Sequence, residues 1–308
     1  MREEVPVGKT ERFHARKCLK RRTFFICIYV AAKRQVGGVK VKIFIAFFKT
    51  ERRLAGLYRM DFLLKVFYSL VAMYGIRSLW VVLYAQDPAM VGRPLPSMIT
   101  YAMLAVALDI IFYPSALSTA PQNYIARQVR TGRIDTDLLR PVDLQWQLLF
   151  HNGGTALFGV LWLVLPAWLL GVLFLGMELP PGLLYGTAFL VSVLFSFLIL
   201  FSLNFLLGMV CFATTNIRQI TMAYSGVLRL LSGSLIPKWL YPKWMQSLIN
   251  LLPFRCIFET PLNIYTGAVG KADIVYGLLL QIVWAATLLS MGKVMWMGVH
   301  RRLTVQGG

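Results

Sequence analysis

A chain of 308 residues that is 57% hydrophobic and 15% charged is not composed like a soluble domain, where charged residues make up about 25%. Its formal charge of +19 could suggest a nucleic-acid partner, but sixteen of the 32 Lys and Arg fall in the first 60 residues, and no aromatic-basic RNA signature follows. A membrane protein with one basic face accounts for both features and leaves no role for nucleic acid.

Residues 1–38 form a basic tail without clear periodicity, read as disordered or as an upstream extension. The run Thr23–Ala32 within it is too short to span a bilayer and lacks a cleavage site of small residues. Residues 39–60 place Ile43, Phe47, Leu54 and Leu57 at near-helical spacing among basic residues. This pattern suits an interfacial amphipathic helix on anionic lipid, with a solvated basic arm as the alternative.

Residues 61–308 then read as one transmembrane domain. A bilayer core of about 30 Å takes about 20 apolar residues of helix. Six stretches qualify, at about 62–84, 97–118, 147–175, 183–211, 219–236 and 272–296. The fold class expected is therefore all-α and polytopic, with six transmembrane helices. Pro237–Gly267 follows the fifth span and carries four prolines and two tryptophans. Proline breaks helices and tryptophan favours the headgroup level, so this segment reads as an outer re-entrant helical hairpin. Eleven Lys and Arg flank the spans on one side and five on the other. The richer side is read as cytoplasmic, which puts both termini inside.

The connection between spans 2 and 3 lies on that cytoplasmic side and runs through RQVRTGRIDTDLLRPVDLQW (Arg127–Trp146). Ser118 or Thr119 can cap a helix with Pro121 in its first turn, and Gly132 can end it. Asp135 can cap a second turn that Pro141 stops, and Asp143 can cap span 3. About 28 residues with several capping signals exceed what a connection needs. Arg127, Arg130, Arg133, Asp135 and Asp137 are left to meet a soluble partner.

YIARQVRTGRIDTDLLRPVD resembles the segment after the second span in permeases of the type 2 ABC exporter superfamily. The nearest branch looks like the six-span permeases often encoded as pairs beside one ATPase. Leu231–Gly267 is similar to that family's fifth span and outer hairpin, and Ala55–Leu70 resembles its interfacial helix leading into span 1. The resemblance implies that the element after span 2 is a coupling helix seated in an ATPase, through Arg127, Arg130, Arg133, Asp135 and Asp137. It also implies a second permease subunit, identical or related, in the cytoplasmic (inner) membrane. ATP and Mg would be bound by the partner ATPase.

No G-x-x-x-x-G-K-[ST] occurs in the chain, so it has no P-loop of its own and is not expected to be an enzyme by itself. H-E-x-x-H and G-x-S-x-G are also missing. The histidines are too scattered for a metal site, and Cys18, Cys27, Cys211 and Cys256 read as packing residues. An ion-coupled secondary transporter is the alternative function, although interrupted helices in both halves are expected of it and only one interruption is seen. A membrane-embedded transferase would need clustered carboxylates or histidines, which the sequence lacks.

Arg77, Asp109 and Arg229 fall within predicted spans. Charges there should face protein or a water-filled cavity, so all three are candidate cavity residues, with snorkelling to the outer surface as the alternative for Arg77. For Arg229 the alternative is a structural pair with a buried acid such as Asp109. Gly208, Ser225, Gly226, Ser232 and Gly233 could let helices approach closely.

Overall fold

The computed structural model describes residues 59–86, 92–112, 120–132, 143–212, 214 and 217–306. The basic tail and most of the expected interfacial helix lie outside the described residues, among which no strand occurs. In chain order the helices are α1 (Arg59–Gln86), α2 (Leu95–Phe112), α3 (Pro121–Arg130) and α4 (Leu144–Gly159). A π-helical turn, Val160–Val164, leads from α4 into α5 (Leu165–Phe174). There follow α6 (Leu183–Val210), α7 (Ile217–Leu231), α8 (Lys243–Leu251), α9 (Glu259–Tyr265) and α10 (Lys271–Gln306).

Four of the predicted spans are helices long and apolar enough to cross a membrane: Leu63–Gln86, Leu144–Phe174, Leu183–Val210 and Lys271–Val299. The second of these contains the π-helical turn, which ends two residues before Pro166. Proline lacks an N–H and crowds the carbonyl four residues back, and a wider turn relieves both. The other two predicted spans are shorter. α2 has 18 residues, about 27 Å of helix. α7 was expected to run to residue 236 but ends at Leu231 after 15 residues, about 22 Å. Gly233 takes a φ of +84°, a left-handed turn that a helix cannot continue through.

The segment after α7 is two short helices joined by turns, as its prolines require. Pro237 precedes the 3-10 turn Lys238–Leu240, Pro242 precedes α8, and Pro253 opens the 3-10 turn Pro253–Cys256. The turn between α8 and α9 reaches far into the bundle. Phe258 packs edge-on against Phe112 at the far end of α2, with ring centroids 5.2 Å apart. Cys256 meets α6 at Ser196, about 20 Å along that helix from its start.

α6 is the centre of the fold. Of its most apolar window 56% is buried, against 17% for α1, so α6 is core and α1 is perimeter. One polar knot ties α6 to α10 and to the deep turn. Gln281 of α10 is fully buried. Its Oε1 accepts from Ser192 Oγ at 2.9 Å, and its Nε2 donates to the Cys256 carbonyl at 2.8 Å and to Ser196 Oγ at 3.1 Å. Ser196 Oγ donates to the same carbonyl at 2.9 Å. Apolar packing surrounds this knot, including Ile199, Phe258 and Leu262, none of them exposed. Gln281→Leu removes the bridging amide and leaves Ser192 Oγ without its side-chain acceptor. It should lower thermal stability in detergent by about 1–2 kcal/mol. An unchanged melting temperature would show that the knot contributes nothing.

Candidate functional site

Three sites bring together the chemistry that the apolar spans lack. The first is the short helix between spans 2 and 3. α3 begins at Pro121, with Ala120 rather than Ser118 or Thr119 in the cap position and no side chain capping it. Pro121 has no N–H to satisfy, which lowers the need for a cap. α3 ends as the sequence indicates, at Gly132 with φ +66°. Its buried face, Gln122, Ile125 and Ala126, lies on the end of α6. Contact is close because residue 208 is glycine: a Cβ there would stand 2.7 Å from Ile125 Cδ1 and 3.2 Å from Gln122 Cα. Of the five predicted small residues, Gly208 thus seats α3, and Gly233 lies close against Tyr101 and Glu259.

Around this contact Leu144 and Leu148 of α4, Phe205 and Met209 of α6, and Trp296 of α10 form a second apolar cluster with Ile125. Asp143 caps α4 as expected, accepting from the Gln145 N–H at 3.3 Å. The opposite face of α3 presents Asn123, Arg127 and Arg130 to the exterior. Arg133, Asp135 and Asp137 lie outside the described residues. α3 is thus seated on α6 by its apolar face and carries its two described arginines on the exposed one.

The second site is an ion pair. Arg229 Nη2 donates to Asp109 Oδ2 at 3.2 Å, joining α7 to α2. Both candidate residues therefore come together, and the pair remains open, with side chains 43% and 34% exposed. Arg229 stands in the last turn of α7, where the helix dipole favours a cation. Thr221 and Ser225 precede it at four-residue intervals, so one stripe of α7 is polar. That spacing is visible in the sequence and marks one face of α7 as polar more directly than its single arginine does. Arg77 does not join them. It is half-buried in α1, and its Nε is buried with no hydrogen-bond partner.

The third site went unread in the sequence. Glu259, at the start of α9, is buried and pairs with Lys238 Nζ at 3.2 Å. Next to it the Arg93 guanidinium lies 3.5 Å from the ring centre of Trp239 and donates to Asn263 Oδ1 at 3.0 Å. Burial draws the Arg93 pKa below its usual value, while Tyr101, Glu259 and Tyr84 act to raise it. Tyr101 donates to the Gly233 carbonyl at 2.9 Å and meets Trp239 edge-on. The loop before α2, the turn after α7 and the start of α9 are thereby locked together. The signal was present: one acid inside the apolar run LLPFRCIFETPLNIY calls for a cation. In the sequence Arg93 and Lys238 are two of the five cations on the poorer side of the spans, and count there only toward topology.

The family described as ABC-2 family transporter protein matches residues 70–307. The chain belongs to the ABC-2 transporter family. It is a multi-pass membrane protein and the membrane component of an ABC transporter, whose ATPase is a separate subunit. No curated protein matches the chain. Membership suits the geometry, because the matched residues include α3, the Arg229–Asp109 pair and the Lys238–Glu259 cluster.

The open ion pair is testable by a double-mutant cycle. Asp109→Asn and Arg229→Gln should each destabilise the ABC-2 protein, and together by less than their sum, with a coupling of about 1–2 kcal/mol in thermal unfolding. Additive losses would mean that the two charges do not act as a pair.

Proposed function

We propose that this chain is the permease subunit of an ATP-driven exporter in the cytoplasmic membrane. It pairs with a second permease, identical or related, and with ATPase subunits that bind ATP and Mg. The observation that carries the reading is α3, a short helix pressed onto α6 through Gly208 with Arg127 and Arg130 facing away. In this reading α3 is the coupling helix. Arg127, Arg130 and, beyond the described residues, Arg133, Asp135 and Asp137 meet the ATPase. Movement of the ATPase subunits then reaches the spans through the Ile125–Gly208 contact.

Six crossings follow if α2 and α7 are counted as spans. α7 is about 8 Å short of a hydrocarbon core of about 30 Å. α8, α9 and their turns fill the missing depth as a hairpin re-entering from the outer side. Arg229 and Asp109 face the translocation cavity, which suits charges at that depth that are half open in the single chain. Arg77 lines the same cavity, its half-burial in α1 keeping the charge off lipid. The exposed apolar faces of α1 and α7, with Phe67, Val71, Met222 and Val227, meet lipid or the second permease.

Two experiments test the reading. Reversing charge with Arg127→Glu and Arg130→Glu should sharply reduce the ATPase that co-purifies with the permease while leaving membrane insertion intact; undiminished co-purification would remove α3 from the interface. For orientation, a membrane-impermeant thiol reagent applied outside should label cysteines placed at Gly92 and Tyr241 but not at Thr131. Labelling at Thr131 would invert the topology.

A further inference from the structure

The lock around Glu259 continues into a cluster of cations with too little negative charge to balance it. Lys238 Nζ donates to Asn250 Oδ1 at 2.9 Å, and Arg255 Nη1 donates to the same oxygen. Two cations thus converge on one neutral amide. Lys238 has Glu259, but Arg255 has no carboxylate within ion-pair distance among the described residues, and its Nε is buried without a hydrogen-bond partner. A neutral acceptor cannot cancel two positive charges held this close, and such a site draws an anion.

α8 indicates where that anion comes from. The helix has three faces at the spacing of a helical stripe. Ile249 turns inward and is 1% exposed. Trp244, Leu248 and Leu251 form an apolar stripe open to the surroundings, at 70%, 47% and 74% exposure. Beside it runs a polar stripe of Lys243, Ser247 and Asn250, also exposed. An apolar stripe bordered by a cationic polar one is the pattern of a helix lying at the level where acyl chains meet headgroups, with tryptophan at that boundary. The paired cations stand at the Asn250 end of the polar stripe.

We infer that Lys238, Asn250 and Arg255 form a binding site for the phosphate of an anionic phospholipid, whose acyl chains lie along Trp244, Leu248 and Leu251. The phosphate oxygens take the donors that now share the Asn250 oxygen, and the net negative charge of the lipid meets the excess of cations. Because Lys238 also holds Glu259, an occupied site braces the lock between the α7–α8 turn and α9. The inference requires a chain embedded in a bilayer and is independent of the direction of transport.

The test supplies the anion from within. Asn250→Asp places a carboxylate between the two cations and should fill the site electrostatically. Mass spectrometry of the intact full chain in non-ionic detergent, delipidated and then incubated with equal amounts of phosphatidylglycerol and phosphatidylcholine, reads retained lipid directly. The wild-type chain should retain one phosphatidylglycerol in preference to phosphatidylcholine, and millimolar inorganic phosphate should not displace it. Asn250→Asp should weaken that retention about tenfold, with an unchanged elution profile on gel filtration. Arg255→Gln removes one cation, should weaken retention similarly, and carries the test if Asn250→Asp fails to fold. Equal retention of the two lipids, wild-type retention by the variants, or displacement by inorganic phosphate would each overturn the assignment, the last by showing that the site takes free phosphate.

Discussion

In hydrocarbon a polar group has no water to turn to, and the fold is organised around meeting that condition at one place. The chain leaves α8 and re-enters the bundle at Pro253–Cys256, where its backbone makes a single 3-10 turn among apolar helices and lacks the hydrogen-bond ladder of a long helix. The carbonyl of Cys256 would be costly there without partners. Ser196 and Gln281 both donate to it, and Gln281 is held by Ser192 in turn. Because those donors sit on α6 and α10, satisfying one carbonyl also joins the two long helices and anchors the deep turn. α9 packs back along α6, with Phe189 edge-on to Tyr265 at 5.1 Å. The Lys238–Glu259 pair closes the turn after α7 onto that arrangement.

The long helices were legible in the sequence because their signal is local: about 20 apolar residues declare a span wherever they stand. The ends of α3 and α4 were legible for the same reason, since Gly132 and Asp143 act within one turn of the backbone. Features that depend on partners far along the chain were less so. Asp109 and Arg229 were both recognised as costly charges, and a pair between them was one of two readings. The structure forms the pair, with both side chains partly exposed. α7 ends five residues early because Gly233 must pass Tyr101 and Glu259, with only 3.0 Å between an added Cβ and the Tyr101 hydroxyl. The small residues Ser232 and Gly233 mark a close approach in the sequence, but not what approaches or that the helix stops there.

Glu259 shows the other limit. Periodicity averages over a stretch, and one acid among apolar residues hardly moves the average. Its burial has meaning only beside Lys238, and Lys238 in turn reads as a loop charge until the turn folds back. The same separation hid Asn250, whose neutral side chain draws no notice until Lys238 and Arg255 arrive at its oxygen.

These contacts place both ends of the proposed mechanism on one rigid element. α3 rests on α6 at Gly208, and the deep turn hangs from α6 at Ser196, twelve residues away along a helix without a break. That distance is about 18 Å, half or more of a bilayer core. A close-packed helix transmits displacement instead of absorbing it, and at Gly208 the two helices approach too closely to admit a Cβ. Force delivered at Ile125 must therefore move α6 or unseat α3. If α6 moves, the Gln281 knot takes α10 and the turn at Cys256 with it. The lock formed by Arg93, Trp239, Lys238 and Glu259 is then what resists at the far end. Its members come from the loop before α2, the turn after α7 and the start of α9, so it can open only by parting those three segments. In the proposed exporter this lock is the barrier, held by polar contacts that are few enough to be broken by a displacement of one helix.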